Sequence, residues 1–285
     1  MAKTVGLLNQ KGGVGKTSST YHLAGTLARR GLRVVLIDND PQASATQGFF
    51  GPEGMRAIPA SASVASAYDE DIAPTDALAV PTGIEGIRIV PGSPALTGYN
   101  MLPPRDWGRS ALGLRELVAE LTETADLVLI DCPPNLHLCS VAALVASDAL
   151  VIPVQAEDFG AQGLGPVRAA AAEVRAGLNP ALRLAGYLVT MYDKRLGIHL
   201  AYEAQLRELY GPEVFAATFP LAKDFKEAVA ARKPISHYKP RSAASKAAGA
   251  VADELLVRLG LADVDNANAN APNADGNTED ARRVA

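Results

Sequence analysis

The sequence predicts an α/β fold with a mostly parallel, doubly wound sheet and helices on both of its faces. Short apolar runs, many of them β-branched, recur along the chain, and segments with a helical spacing of apolar residues lie between them. Such alternation is typical of a parallel sheet that is covered on both sides. A glycine-rich loop follows the first apolar run, and two further runs end in aspartate.

The predicted strands are defined by these apolar runs. RVVLID at 33–38 is continuous, as expected for a strand that is buried on both sides. Crossovers between parallel strands should be right-handed. The full set of predicted strands is 4–9, 33–38, 87–92, 126–134, 149–155 and 182–193.

The first predicted helix covers residues 16–31. Leu23, Leu27 and Ala28 fall on one face of it, and Gly31 is a stop signal. The stretch 51–82 is rich in Ala, Ser and Pro and is predicted to be a helical insertion with loops. The other predicted helices are 110–123, 138–146, 161–178, 199–210 and about 242–260.

One domain is predicted for residues 1–261, followed by a polar tail at 262–285. The tail is rich in Asn, Asp and Ala and has almost no large apolar residue. Such a composition cannot build a core, so we expect the tail to be disordered. We find no internal repeat.

Composition limits the classes of function. The formal net charge of the 285-residue chain is -4, so any contact with nucleic acid requires a local basic patch. We see neither a secretory signal peptide nor an apolar run of membrane-spanning length, and we expect a cytoplasmic protein. Cys132 and Cys139 lack further metal ligands nearby and are expected to be buried thiols.

The glycine-rich loop LLNQKGGVGKTSS, residues 7–19, departs from the common phosphate-loop pattern. Gln10 stands where that pattern has its first glycine, and Lys11 is an additional lysine. The backbone of such a loop can approach phosphate groups closely, helped by the partial positive charge at the start of the next helix. Lys16 is predicted to reach the β- and γ-phosphates, and the Thr17 hydroxyl to bind Mg²⁺.

Three aspartates are predicted to meet beside this loop. Asp38 and Asp40 follow one buried strand and Asp131 ends another. The carboxyl ends of parallel strands lie at one edge of a sheet, where ligands of such folds bind. We expect Asp131 to hold the water shell of the metal, Asp38 to support the metal, and Asp40 to orient the attacking water.

Two basic segments stand out in a chain of negative net charge. MYDKR contributes Lys194 and Arg195, and the range 223–246 contributes seven more cations. Such clusters can bind phosphate backbones without reading base sequence, although a solvated helix face is the alternative. The predicted DNA-contact residues are Lys194, Arg195, Lys223, Lys226, Arg232 and Lys233.

The motifs KGGVGKT, DNDPQASAT and LVLIDCPPNL, with ALVASDALVIPVQAE, resemble those of the ParA/MinD group of deviant phosphate-loop ATPases. The likeness covers about residues 3–260 and is strongest to the short, Soj-like ParA proteins that segregate chromosomes and plasmids. It implies a P-loop NTPase fold of the SIMIBI type. It also implies that Lys11 reaches the nucleotide of a partner subunit in an ATP-sandwiched dimer, and it gives Lys16, Thr17, Asp40 and Asp131 the roles stated above.

The resemblance further implies ATP and Mg²⁺ as cofactors, a homodimer, and non-specific binding to double-stranded DNA on the nucleoid. A ParB-type centromere-binding protein would stimulate slow ATP hydrolysis. The implied nucleotide-binding residues are Lys11, Gly12, Gly13, Val14, Gly15, Lys16, Thr17, Ser18 and Pro220.

One segment departs from the family. Short ParA proteins commonly have Pro-Arg-Asn where this chain has Pro220, Leu221 and Ala222. A side-chain contact from Asn to adenine is therefore lost, and a DNA-binding arginine is expected to be replaced by Lys223 or Lys226.

Two rival functions remain open. One is a MinD-like regulator at a membrane or a relative that positions a cargo on the nucleoid, although the last 24 residues are too polar for a membrane-binding helix. The other is a metabolic amidoligase or synthetase built on the same loop. The DNDPQ motif and Lys11 argue against that second rival.

Overall fold

The apolar runs of the sequence form one seven-stranded sheet in the computed structural model, which describes residues 2–69, 75–156 and 161–262. The strands are β1 Lys3–Leu7, β2 Val34–Asp38, β3 Val80–Pro81, β4 Ile87–Val90, β5 Leu127–Asp131, β6 Ala149–Gln155 and β7 Arg183–Thr190.

The strand order is β3-β4-β2-β5-β1-β6-β7. All neighbouring pairs are parallel except β3 and β4, which are antiparallel. In the register of the sheet, Asp131 at the end of β5 lies between Leu7 of β1 and Asp38 of β2. The ends of the three central strands are therefore level with one another.

Helices cover both faces of the sheet, as the sequence predicts. Alternate residues of β2 enter two separate cores: Val35 and Ile37 pack with α5, α6 and α7, while Val34 and Leu36 pack with α1 and α11. The helices are α1 Lys16–Ala28, α2 Ser44–Ala57, α3 Thr75–Leu78, α4 Leu96–Asn100, α5 Ser110–Thr124, α6 Leu138–Ala146, α7 Ala161–Gly177, α8 Gly197–Tyr210, α9 Lys223–Ala230, α10 Ile235–Tyr238 and α11 Ala243–Leu259.

Several boundaries differ from the sequence prediction. The prediction missed α2, which begins at Ser44 and is kinked at Gly51 (φ 72°) immediately before Pro52. It also missed β3, α4, α9 and α10. The strands predicted at 126–134 and 182–193 are shorter, because each chain turns away where its hydrogen-bonded neighbour ends.

The stretch predicted as a helical insertion contains the second half of α2 and two 3₁₀ turns at 60–62 and 64–68, with α3 after them. Val64 and Tyr68 are buried in the same core as α5. Residues 70–74 of this stretch and 263–285 of the predicted tail lie outside the described residues, so the disorder of the tail stays a prediction.

The two edges of the sheet are closed in different ways. Along β7, the N–H groups of Phe215 and Phe219 donate to the carbonyls of Tyr187 and Val189 at 2.9 Å each. The Arg258 guanidinium donates to the Ala185 carbonyl at 2.7 Å. At the other edge, β3 has only two residues and one of them is a proline.

Helix α1 packs closely against α10. The His22 Nδ1 atom accepts a hydrogen bond from the Ile235 N–H at 3.0 Å, and the Arg29 guanidinium donates to the Ser236 carbonyl at 2.7 Å. Gly25 lies against Pro234, where a Cβ atom would come within 2.1 Å of the proline ring. None of the helices in the described ranges combines the length and apolar character needed to cross a bilayer.

Candidate active site

The glycine-rich loop connects β1 to α1 and leaves its outer side open. Gly13 (φ 78°) and Gly15 (φ 80°) adopt left-handed backbone conformations that other residues rarely take. A Cβ atom at Gly12 or Gly13 would meet no atom within 4 Å. The loop backbone and the start of α1 can therefore face a bound phosphate, since this end of a helix carries a partial positive charge.

Two polar side chains hold the loop on the sheet. The Asn9 amide accepts a hydrogen bond from the Lys11 N–H at 3.0 Å and donates to the Pro153 carbonyl at 2.7 Å. The Thr190 hydroxyl donates to the Val14 carbonyl at 2.8 Å. The sequence did not indicate Asn9 or Thr190, because only the order of the strands brings them next to their partners on β6 and, for Thr190, on the loop.

The two lysines of the loop lie in different surroundings. Lys16 is buried with 6% of its surface exposed, and its ammonium donates to the Lys11 carbonyl at 3.0 Å. Burial lowers the pKa of Lys16, and the negative charges of Asp131 and Asp40 oppose that shift. Lys11 is exposed at the entrance of the loop. Thr17 and Ser18 follow in the first turn of α1 and are half-buried.

Asp38 and Asp131 form a pair of fully buried carboxylates beside the loop. Neither oxygen of Asp131 nor Oδ1 of Asp38 has a hydrogen-bond partner in the described part of the chain. Burial raises the pKa of Asp38 to about 6. Burial, reinforced by the charge of Asp38, raises the pKa of Asp131 well above its usual range, and the nearby Thr17 hydroxyl opposes this rise. Unpaired carboxylate oxygens need a cation or a proton, so these residues fit a hydrated Mg²⁺ ion.

The second oxygen of Asp38 supports the fold. Asp38 Oδ2 accepts hydrogen bonds from the Thr46 N–H and from the Thr46 hydroxyl, each at 2.7 Å. The Thr46 hydroxyl in turn accepts a bond from the Gly92 N–H at 2.8 Å. Asp38 thus anchors the first turn of α2, a role that the sequence did not indicate.

Asp40 lies on the short connection between β2 and α2. It is 8% exposed, and its Oδ1 atom accepts a hydrogen bond from the Gln42 N–H at 2.9 Å. Its carbonyl accepts a bond from the Ala43 N–H at 2.8 Å, which closes a tight turn. The negative charge of Asp40 raises the pKa of Asp131 and of Lys16. The three side chains therefore form one electrostatic cluster.

Pro220 is placed at the same edge of the sheet. It pairs with Tyr192 just beyond the end of β7, and the Leu221 N–H donates to the Tyr192 carbonyl at 2.9 Å. Because Thr190 at the end of β7 contacts the loop, Pro220 lies on the loop side of the sheet. Leu221 is 51% exposed.

The six predicted DNA-contact residues are all exposed. Lys194 and Arg195 follow β7, at the edge that carries the loop, and Arg195 is paired with Asp193 at 2.7 Å. Lys223 and Lys226 lie on α9, where Lys223 pairs with Glu227 at 3.3 Å.

Arg232 and Lys233 lie just after α9, where their N–H groups donate to the Val229 and Ala228 carbonyls at 2.9 and 3.0 Å. They precede Pro234, which packs against Gly25 in the C-terminal half of α1. The Arg232 guanidinium lies over Gly51, where a Cβ atom would come within 2.3 Å of it. These two cations are therefore positioned by the α1–α2 side of the molecule.

Other residues considered in the sequence have packing roles. Cys132 and Cys139 are buried free thiols, and burial raises the pKa of both. Within the described ranges, no group of three or more Cys, His, Asp or Glu side chains is arranged to hold a metal ion. The Trp107 indole donates to the Leu102 carbonyl at 2.8 Å.

Comparison with known proteins identifies the family of the chain. A family model described as an AAA domain matches residues 2–184. The chromosome-partitioning ATPase Soj of Thermus thermophilus is 38% identical over 257 residues, which cover 90% of this chain and 96% of that protein. The chain belongs to the ParA/MinD family of ATPases. The resemblance stated from the sequence motifs is thereby confirmed.

A further relative and a solved structure are similar to this chain over most of its length. The chromosome partitioning protein ParA of Myxococcus xanthus is 32% identical, covering 90% of this chain and 89% of that protein. Cobyrinic acid a,c-diamide synthase from Mycobacterium smegmatis, solved with bound ADP and magnesium, has a TM-score of 0.76 and is 27% identical. That alignment covers 91% of this chain and 96% of the solved one.

Proposed function

We propose that this protein is a DNA-partition ATPase whose MgATP-bound homodimer binds DNA non-specifically. The observation that carries the proposal is the division between the two lysines of the loop. Lys16 is buried beside Asp131 and Asp40, whereas Lys11 is exposed at the entrance. An exposed lysine can reach a nucleotide on a second subunit in the manner of an arginine finger, which would make dimerisation and hydrolysis depend on each other.

The other residues of the site bind the nucleotide, the metal ion and the attacking water within one subunit. The loop backbone from Gly12 to Thr17 and the Lys16 ammonium bind the phosphates. Thr17 and Asp131 hold the magnesium ion, with support from Asp38. The ion, when bound, neutralises charge that develops on the phosphates during hydrolysis. Asp40 orients the attacking water.

The nucleotide state controls access to DNA in this proposal. Association of two subunits brings together two sets of the exposed cations, among them Lys194, Arg195 and Lys223, on a chain of negative net charge. Contacts to phosphate oxygens add with the number of cations and carry no base specificity. A ParB-type partner would accelerate hydrolysis, which separates the dimer and releases the DNA.

The test is a DNA-binding titration with ATP, ADP or no nucleotide, using wild type and Lys11→Ala, with subunit association measured in parallel. We expect wild type to dimerise and bind DNA only with ATP. Lys11→Ala should still bind ATP through Lys16 but should neither dimerise nor bind DNA. Lys3→Ala is the matched control, because it removes one cation from the start of β1, at the end of the sheet away from the loop. An ATP dimer of Lys11→Ala that binds DNA like wild type would refute the trans role.

A second candidate function is a synthetase that activates a small acid with ATP, because the structure from M. smegmatis is a diamide synthase. Such an enzyme would consume ATP only when a small acid is present and would not require DNA. ATP turnover by the protein alone that rises with DNA and a ParB-type partner favours partition. A MinD-like membrane role would instead give ATP-dependent binding to liposomes without binding to DNA.

A further inference from the structure

Asn39, the residue between Asp38 and Asp40, is fixed by hydrogen bonds to three separate parts of the fold. Its N–H donates to the Asp131 carbonyl at 2.9 Å. Its side-chain Nδ2 donates to the Cys139 carbonyl in the first turn of α6 at 2.8 Å. Its Oδ1 accepts a hydrogen bond from the Tyr68 hydroxyl at 2.7 Å. Asn39 itself is completely buried.

The direction of this side chain sets it apart from its neighbours. Asn39 faces α6 and the 3₁₀ turn at 64–68, whereas the Asp38 and Asp40 carboxylates belong to the cluster with Asp131. A buried amide that lost one of these bonds would leave a polar group unpaired, which is costly. The backbone on either side of Asn39 therefore has little freedom to shift.

Tyr68 is held as firmly as the residue it binds. It is 2% exposed, and its carbonyl accepts a hydrogen bond from the Ser110 hydroxyl at 2.8 Å. Gly113 of α5 approaches the turn so closely that a Cβ atom there would lie 1.8 Å from the Ala67 carbonyl oxygen. The Tyr68 ring packs 5.5 Å from the Tyr99 ring. The 64–68 turn is therefore packed tightly against α5.

We propose that Asn39 and Tyr68 are positioning residues for ATP hydrolysis, which act by holding the Asp40 carboxylate in place. The proposal rests on the ATPase function proposed above. Both side chains act through the backbone of the β2–α2 connection. Hydrogen bonds connect α5 to Tyr68 and Tyr68 to Asn39. Through them, the 64–68 turn would influence the rate of hydrolysis.

Two variants remove this link with little change of shape. Tyr68→Phe deletes only the hydroxyl that donates to Asn39, and Asn39→Leu replaces the amide with an apolar group of similar size. Tyr187→Phe is the matched control, because Tyr187 is also buried and its hydroxyl is also hydrogen-bonded, accepting from Arg168 at 3.0 Å. Each is assayed for kcat and KM of ATP hydrolysis, ATP affinity and the midpoint of thermal unfolding.

We expect Tyr68→Phe and Asn39→Leu each to lower kcat by roughly 10-fold, because small displacements of a group that positions a reactant are costly in rate. KM and ATP affinity should stay within about 2-fold of wild type, since Lys16 and the loop are untouched. Tyr187→Phe should keep the wild-type kcat. In the Asn39→Leu background, Tyr68→Phe should have no further effect on kcat, because both act through one link.

Other outcomes would overturn the proposal. A wild-type kcat in Tyr68→Phe would show that the hydroxyl does not position Asp40. Equal losses of kcat in Tyr68→Phe and Tyr187→Phe would reduce the role to general packing. The same conclusion would hold if kcat fell only together with thermal stability and with a rise in KM. Wild-type protein without ATP turnover under any condition would instead refute the proposed function, and this inference with it.

Discussion

At the scale of single residues, the aspartates of the site differ in which of their oxygens are already bonded. Asp38 uses one oxygen to anchor Thr46 and keeps the other unpaired, whereas Asp131 has neither oxygen bonded within the described residues. Asp40 keeps one oxygen on the backbone of its own turn. Loss of Asp38 should therefore harm the fold as well as the proposed metal site, while loss of Asp40 should affect mainly the rate of hydrolysis.

Asp40→Ala tests that distinction. We expect it to lower kcat by about 100-fold or more, since a group that orients or activates water contributes at that level. ATP binding and ATP-dependent DNA binding should persist, because Lys16, Thr17 and Asp131 are unchanged. Single-turnover ATP hydrolysis and DNA-binding titrations measure the two effects. Normal turnover in this variant would remove Asp40 from the proposed mechanism.

His22 gives the molecule a residue-level dependence on pH. Its Nδ1 atom accepts the Ile235 N–H and its ring packs 4.8 Å from the Phe225 ring. Burial lowers the pKa of His22 to about 3, compared with about 6.5 in an unfolded chain. Between about pH 6.5 and pH 3, His22 is therefore protonated in the unfolded state but neutral in the folded state. The stability that neutral His22 contributes is lost as pH falls below about 6.5.

The His22→Asn variant measures this contribution, because Asn retains an acceptor for Ile235 but does not titrate. Between about pH 7 and pH 5, the free energy of unfolding of wild type should fall more steeply than that of the variant. The difference in slope should approach 1.4 kcal/mol per pH unit, which corresponds to roughly one proton. Chemical denaturation across this range provides the curves. Parallel curves would mean that His22 accepts its proton in the folded state.

At the scale of elements, the contact between α1 and α10 depends on the absence of a side chain. Gly25 allows Pro234 to approach, and Arg29 and His22 then bond to the backbone of α10. The same helix starts with Lys16. The helix that carries the predicted phosphate-binding residues is therefore fixed against the segment that carries Arg232 and Lys233.

Gly25→Ala should destabilise the protein by about 1–3 kcal/mol, although alanine is the better helix former, because the new Cβ atom overlaps the Pro234 ring. Gly249→Ala in α11 is the control. Its nearest neighbour would be the Arg30 guanidinium at 3.6 Å, so a gain of about 0.5–1 kcal/mol from helix propensity is expected. Unfolding in urea measures both. A stabilising Gly25→Ala would show that α10 can move away from α1.

The sequence predicts those elements whose signals are local. The loop, α1 and the aspartates at strand ends have their determinants within about 15 residues, and the sheet forms where the apolar runs occur. Helix α2 escaped prediction because Gly51 and Pro52 interrupt its helical pattern, and because the Gly92 N–H, which bonds the Thr46 hydroxyl in its first turn, is 46 positions away. Asn39 and Tyr68 were missed for the same reason: polar residues in an irregular stretch do not reveal a buried partner 29 positions away.

At the scale of the whole molecule, charge is distributed unevenly. The net charge is -4, yet Lys194, Arg195 and Lys223 lie exposed near the edge that carries the nucleotide loop. Arg195 and Lys223 each have an acidic partner, Asp193 and Glu227. Binding of DNA by such a surface should depend strongly on salt.

Replacing Lys223 and Lys226 together by alanine should weaken DNA binding and lower the slope of log K against log salt by about one to two. Affinity for ATP should not change, since neither side chain belongs to the loop. Titrations at several salt concentrations, with Lys3→Ala as the control for a single lost cation, measure this effect. An unchanged slope would place the DNA-binding surface elsewhere on the molecule.

The closure of both sheet edges has a consequence for how copies of this chain meet. Open edge strands invite uncontrolled pairing with other chains and aggregation. Here Phe215, Phe219 and Arg258 occupy the outer carbonyls of β7, and Pro81 interrupts the opposite edge. The nucleotide-controlled association proposed above would gain reversibility from this protection, because strand exchange would not compete with it.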